Sequence, residues 1–314
     1  MRLLGKKFVT MILTVLIVTF FVFLAFSVIP GDPAVNMLGT SATKEKVELL
    51  REQMGLNKPL LIRYVIWLRE FFFGNMGTSY SYNVSVESML YDKLPITIVL
   101  TLISFVMIVA ISVPLGIFCA KHEGGFISRI VNVLNQVVMA IPPFFIGILV
   151  TLLFGLVLKM FMPGGFVHYS VNVGSFLHYM IFPAISIALP KAAMNISLLK
   201  ASILKEAKLD YVRTAYSRGN STSQVLYRHV LKNAMIPVVT FLGMTLADIV
   251  AGSLIIEQVF SIPGIGRLLI SSIYNRDYPV VQAIIALIAF LVIVINFLVD
   301  MYYQVLDPRM RENG

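Results

Sequence analysis

Charge is what this 314-residue chain has least of: Asp, Glu, Lys and Arg together make up 13% of it, about half the share of an ordinary soluble domain. Water is therefore not its main solvent. Cysteine is almost absent too. Cys119 stands alone, so neither a disulfide framework nor a cysteine zinc site can form within the chain. No phosphate-cradling G-x-x-x-x-G-K-S/T loop occurs, which excludes P-loop ATP hydrolysis by this chain. The H-E-x-x-H pattern is missing as well. His122 and Glu123 lack a second histidine at the right spacing, and His168, His178 and His229 are scattered, so a metal enzyme is not expected. Internal repeats and low-complexity stretches are also lacking. The net charge of +9 has no soluble, aromatic-interleaved basic module behind it, which argues against nucleic acid and leaves membrane topology to explain it.

Apolar residues are plentiful, at 58% of the chain with a mean hydropathy of +0.86. They fall into six runs: Phe8 to Ile29, Ile96 to Ala120, Val131 to Leu158, Met180 to Leu199, Ala234 to Ile256 and Val280 to Tyr303. Each is long enough for a membrane-crossing helix of about 20 residues, and none is the short alternating segment of a membrane barrel. The expected fold is all-α and integral to the membrane, with six transmembrane helices. The first run follows Arg2, Lys6 and Lys7 as a secretory signal would, but a signal core is only about 7 to 15 residues, so the run reads as a retained helix.

Lys and Arg in short loops mark the cytoplasmic side. With the N-terminus inside, the inner segments hold Arg2, Lys6, Lys7, Lys121, Arg129, a cluster from Lys200 to Lys232, and Arg309 and Arg311. Only Lys159, Arg267 and Arg276 fall in short outer loops. Both termini are expected in the cytoplasm. The chain then divides into residues 1–29 with the first span, an extracytoplasmic helical region 30–95, a core 96–303 containing a basic loop 200–233, and a cytoplasmic tail 304–314. In the outer region, Thr43 can cap a helix that Gly55 closes, and Asn57 and Pro59 open a second, aromatic helix ending before Gly74. So aromatic a helix beside a membrane is interfacial or packed on the outer face of the bundle. The chain leaves no room for a nucleotide-binding domain.

The longest inner loop, Lys200 to Pro237, is strongly basic, with Ala207, Tyr211, Ala215 and Val225 between the charges at roughly helical intervals. Gly219, Asn220 and Ser221 interrupt it, giving helix, turn, helix. Such a protrusion is a docking device, or a basic loop held at anionic lipid.

Here the residues carry a resemblance. DYVRTAYSRGNSTSQVLYRHVLKNAMIP resembles the inner loop of binding-protein-dependent ABC import permeases, in the version of the oligopeptide, dipeptide and nickel permease family. IPGDPAVNMLG, LREQMGLNKPLLIRYVIWL and GNMGTSY resemble the outer N-terminal region of its B-type subunit, and IIEQVFSIPGIGRLL, IYNRDYPVVQ and LDPRMR its closing third. Together they cover nearly the whole chain. In the wider superfamily the loop carries a Glu-Ala-Ala triplet, a Gly and an Ile-x-Leu-Pro. At those places this chain has Arg213, Thr214 and Ala215, then Gly219, then His229, Leu231 and Lys232, so only Ala215, Gly219 and Leu231 match. Glu206 and Ala207 lie too early to be the triplet.

The resemblance implies a permease subunit importing di- or oligopeptides, with nickel or metal-chelate import as the nearest alternative. Its partners would be a homologous second permease, two ATPase subunits, an extracytoplasmic binding protein and the lipid bilayer. No cofactor is expected on this chain, since ATP and Mg are used by the partners. The loop would be a coupling helix seated in the ATPase, with Asp210, Tyr211, Ala215 and Gly219 as its core, Arg213 and Arg218 reaching acidic residues, and Tyr216 adding apolar contact. A translocation path needs polar groups and broken helices. Asn135, Gln136, Pro142 and Pro143 in the third span, Pro183, Pro190, Lys191 and Asn195 in the fourth, Asp248 in the fifth and Asn296 in the sixth are its candidates. Lys191 and Asp248 lie at similar depth and are expected to pair. Asp300 reads as interfacial. Two other classes remain. A channel would call for a filter-like loop, for which SIPGIG at Ser261 to Gly266 is a weak match, and an intramembrane enzyme would call for paired catalytic groups, for which only Lys191 and Asp248 qualify.

Overall fold

The computed structural model describes residues 2–28, 33–38, 43–53 and 55–306. Pro30 to Asp32 and the tail from Asp307, with Arg309 and Arg311, lie outside that set. Apart from one isolated bridge between Thr78 and Ser85, the regular structure among the described residues is helical.

In chain order the helices are α1 (Arg2–Val28), α2 (Pro33–Leu38), α3 (Lys44–Gln53), α4 (Leu60–Phe72), α5 (Val86–Tyr91), α6 (Leu94–Lys121), α7 (Phe126–Ala140) and α8 (Pro143–Val150). The wider π turns Thr151–Val157 continue α8. Then come α9 (Val173–Glu206), α10 (Asp210–Ser217), α11 (Thr222–Val225), α12 (Leu231–Val259), α13 (Ile265–Tyr274) and α14 (Tyr278–Leu306), with π turns Leu226–Val230 joining α11 to α12.

Five helical units are long and apolar enough to cross a membrane: α1, α5 with α6, α9, α11 through α12, and α14. The third apolar run, where Pro142 and Pro143 are expected breaks, is two apolar helices, α7 and α8, meeting at 106°, and the total is six if that bent pair counts as one and five otherwise. Ile141-Pro142-Pro143 is the cause. Each proline denies the helical region to the residue before it, and Ile141 (ψ 127°) and Pro142 (ψ 141°) are both extended. Pro183 and Pro190, expected to break the fourth span, do not; α9 runs unbroken through both, and both are buried.

The core is built around α9, whose buried face meets α6 and α12 through Leu100, Ile108, Met180, Leu199, Val238 and Ile256. Close approach is built in: a Cβ on Gly116 would come within 2.8 Å of Leu199, so α6 and α9 need a glycine there. At the opposite edge α14 packs on α1 and α12. Lys7 and Asp300 pair at 3.0 Å, which puts the start of α1 and the end of α14 at one end of the bundle and gives Asp300 a partner.

Helices α3 and α4 form between the caps read from sequence, and α4 sits on the bundle. Thr43 Oγ1 accepts from the Lys46 N–H at 3.4 Å, and Gly55 adopts a φ of +65° after α3. Tyr64 of α4 donates its hydroxyl to the Leu16 carbonyl at 2.9 Å, and Phe23, Tyr64, Trp67 and Phe71 form an aromatic ladder between α1 and α4. Phe71, Val86 and Leu90 complete a second apolar cluster with α13 and the start of α14. Of the two placements expected for α4, packing on the bundle is the one observed.

Candidate coupling and translocation sites

Sequence chemistry accounts for α10 at both ends. Leu209 is extended, Asp210 sits in the first turn where a carboxylate favours the helix dipole, and the chain reverses at Gly219 with a φ of +82°. Asn220 Nδ2 donates to the Ala215 carbonyl at 2.9 Å, and Ser221 with Gln224 forms a capping box that starts α11. The expected helix, turn, helix is therefore present, but its second helix runs straight into the span α12.

Val212 and Ala215 are one helical turn apart, and both are buried against this chain's own core. Ala215 is thus part of the seat of α10 and not of its outward surface. Asp210, Arg213, Tyr216 and Arg218 face out. The Arg213–Asp210 pair, 3.6 Å apart and nearly fully exposed, does little to hold the helix. The hold comes from a three-residue clasp that sequence reading missed. Tyr211 Oη donates to Glu206 Oε1 at 2.7 Å, and Asn233 Nδ2 donates to Glu206 Oε1 at 3.0 Å and to Tyr211 Oη at 3.2 Å. This ties the end of α9, the start of α10 and the start of α12 at one point. Burial, and then the hydrogen bond to Glu206, push the Tyr211 phenol above its ordinary pKa, so it stays protonated and able to donate.

Among the path candidates, Lys191 and Asp248 are brought together: Nζ to Oδ2 is 2.8 Å, linking α9 to α12 midway along both. The Lys191 side chain is 25% exposed and that of Asp248 63%. A carboxylate that open on a membrane-crossing helix needs water or protein over it, since lipid would solvate it badly. Met194 and Met244, one turn from Lys191 and Asp248 respectively, are exposed as well. Asn195 is fully buried and donates to Ser112 Oγ at 2.6 Å, which makes it a tie between α9 and α6. Asn135 is buried, with its Nδ2 unpartnered among the described residues, whereas Gln136, Pro142, Pro143 and Asn296 are exposed. No hydrogen bond joins Asn135, Gln136 or Asn296 to the ion pair among the described residues.

Two wholly buried carboxylates escaped the sequence reading. Glu257 accepts from Thr97 Oγ1 at 2.6 Å, from the Gly266 N–H at 2.7 Å and from the Arg267 N–H at 3.4 Å. Asp277 accepts from Ser79 Oγ, from the Tyr80 N–H at 2.9 Å and from the Ser81 N–H at 3.3 Å. The SIPGIG segment considered as a filter is thus the turn that lays the N-terminus of α13 on Glu257.

Residues 112–312 match the family described as binding-protein-dependent transport system inner membrane component. Residues 1–101 match the N-terminal family of the same transport-system membrane component. The chain belongs to this permease family. A probable peptide ABC transporter permease of Sinorhizobium fredii is 34% identical to the permease over 98% of both chains. An oligopeptide transport system permease of Bacillus subtilis is 31% identical, over 93% of this chain and 94% of its own. A glutathione transport system permease of Pectobacterium atrosepticum is 35% identical, over 98% and 97%. The permease is accordingly a multi-pass inner membrane protein of a transport system.

Proposed function

We propose that this permease is the transmembrane subunit of an ATP-driven importer of di- or oligopeptides, with α10 as the handle gripped by a separate ATPase. One observation carries the reading: a single eight-residue helix, Asp210–Ser217, stands between two membrane-crossing helices and is clasped to both by Tyr211, Glu206 and Asn233. A short helix fixed in this way passes a displacement on to α9 and α12, whereas a loose loop would absorb it. Asp210, Arg213, Tyr216 and Arg218 supply the outward contact, and ATP with Mg is used by the ATPase. The Lys and Arg clustered at this end support a cytoplasmic position for it and for both termini. A second permease, two ATPase subunits and an extracytoplasmic binding protein complete the assembly.

Lys191 and Asp248 border the path in this reading, and the exposed methionines beside them give an adaptable apolar surface suited to varied peptide side chains. Nickel import is less well supported. The intramembrane carboxylate that would attract a cation, Asp248, is already paired with Lys191, and the relatives named above carry peptide or glutathione in their names.

The test uses the single buried cysteine to advantage. With Cys119 inaccessible, Arg213→Cys adds one exposed thiol, which should crosslink to the ATPase subunit and be labelled only from the cytoplasmic side. Labelling from the opposite side alone would overturn the reading.

A further inference from the structure

A half-open cavity of 510 Å³ lies where α1 ends, lined by the last turns of α1, by the end of α3 and the turn after it, by α4, by the segment preceding α5 and by the first turn of α14. Phe23, Phe26 and Trp67 form its apolar wall, and Lys58, Arg63 and Glu70 bring charge into it. Lys58, Arg63 and Glu70 make no ion pair among the described residues, and the Arg63 guanidinium lies 5.9 Å from the centre of the Phe23 ring. Gln282 also lines the cavity, and its Nε2 is buried without a hydrogen-bond partner among the described residues. Three donor groups and one carboxylate therefore surround a space large enough for a small polar group.

That set of groups complements a phosphate or carboxylate carrying an ammonium a few bonds away. Lys58, Arg63 and the Gln282 amide can donate to anionic oxygens, and Glu70 can accept from the ammonium. The surroundings distinguish a lipid from a soluble zwitterion. The cavity is at the level where an apolar span gives way to polar sequence, which is where headgroups lie. Around it Phe21 and Val28 of α1 and Leu61 and Val65 of α4 turn outward, 62 to 69% exposed, and offer acyl chains a surface that a free peptide has no use for. We propose that this cavity between α1, α4 and α14 binds the headgroup of a zwitterionic phospholipid, phosphate against Lys58 and Arg63 and ammonium against Glu70.

Native mass spectrometry of the permease, released with its accompanying subunits from nanodiscs of equal phosphatidylethanolamine and phosphatidylglycerol, tests this. The wild type should retain phosphatidylethanolamine, and Lys58→Gln/Arg63→Gln should retain at least tenfold less. Glu70→Gln should keep the lipid but lose the preference for ethanolamine over glycerol. Arg69→Gln, which removes one positive charge of the same helix outside the cavity lining, should behave as wild type. Equal retention by the double variant, or equal loss by Arg69→Gln, overturns the site. Displacement of the lipid by millimolar inorganic phosphate or by a zwitterionic tripeptide would assign the cavity to a soluble ligand and overturn the lipid assignment.

Discussion

Glu257 near the end of α12 accepts the N–H of Gly266 at 2.7 Å across the turn that separates α12 from α13, and a Cβ added to Gly264 would fall 2.4 Å from the same carboxyl group. The carboxylate is wholly buried, so it cannot swing away to make room. Gly264→Ala should therefore lower the thermal stability of the solubilised permease, by an overpacking penalty of about 1–3 kcal/mol. Glu257→Ala should be worse, because the Thr97 hydroxyl and the Gly266 N–H each lose an acceptor at about 1–3 kcal/mol per buried orphan. Wild-type melting of either variant would remove this turn from the structural core.

Gly219 offers a cleaner separation of backbone strain from crowding. Its φ is +82° and nothing lies within 4 Å of where a Cβ would go, so conformation alone decides what the site accepts. Asn, which visits the left-handed region readily, should support peptide uptake within about twofold of wild type. Val should insert into the membrane normally yet lose most uptake, since the strained turn, costing at least about 1–2 kcal/mol, is relieved by shifting α10. Uptake by Gly219→Val equal to wild type would detach the turn from coupling.

Tyr211→Phe removes one hydroxyl and leaves the Asn233–Glu206 hydrogen bond in place. The stability loss should be modest, about 0.5–1.5 kcal/mol. The informative readout is the ratio of peptide transported to ATP hydrolysed in proteoliposomes, which should fall several-fold as α10 loosens from α9. Because burial and Glu206 raise the phenol above its ordinary 10.0, the clasp contributes fully below that pH and is lost only as the solution becomes more alkaline than the raised value. Wild-type coupling should accordingly show no loss from this group between pH 6 and 9, roughly.

For Lys191 and Asp248, single reversals leave two like charges facing each other within the membrane-crossing bundle, and both should abolish uptake. The double reversal Lys191→Asp/Asp248→Lys restores opposite charges on the same two helices and should recover a substantial part of the lost rate. Absence of any rescue, in variants that reach the membrane at wild-type levels, would count against pairing in the working transporter.

How far each of these features could be read from sequence depended on where its partners lay. The spans followed from apolar runs, and the Lys191–Asp248 contact from the rarity of opposite charges at matching depth. Pro142 and Pro143 mark a break in the third run, but hydropathy does not give the 106° bend that they produce there. The resemblance puts Ala215 in the core of the ATPase contact, whereas it lies buried with Val212, three residues before it, against this chain's own core. Glu257 and Asp277 gave no local signal. Their partners are a hydroxyl 160 residues away, a segment nearly 200 residues away and backbone N–H groups that no side-chain pattern encodes.

Asp277 also sets how firmly the segment before α5 is held. It accepts from two successive backbone N–H groups, Tyr80 and Ser81, and from the Ser79 hydroxyl, while its own backbone carbonyl accepts the Val281 N–H in the first turn of α14. One residue thus fastens the segment before α5 to the start of the last span. Asp277→Ala removes every side-chain acceptor at once, and amide exchange at Tyr80 and Ser81 should speed up by tenfold or more, about 1.4 kcal/mol of lost protection. Asp277→Asn keeps one acceptor oxygen for the Tyr80 N–H but turns an amide donor toward Ser81 and Ser79, so its exchange should fall between the two. Because Met76, Gly77 and Thr78 just before this clamp also line the cavity beside α1, loosening it should spread to that cavity while the Tyr211 clasp, at the other end of the bundle, keeps its protection. Unchanged exchange in Asp277→Ala would mean that this segment is held by the apolar cluster of α4 and α5 with α13 and α14 alone.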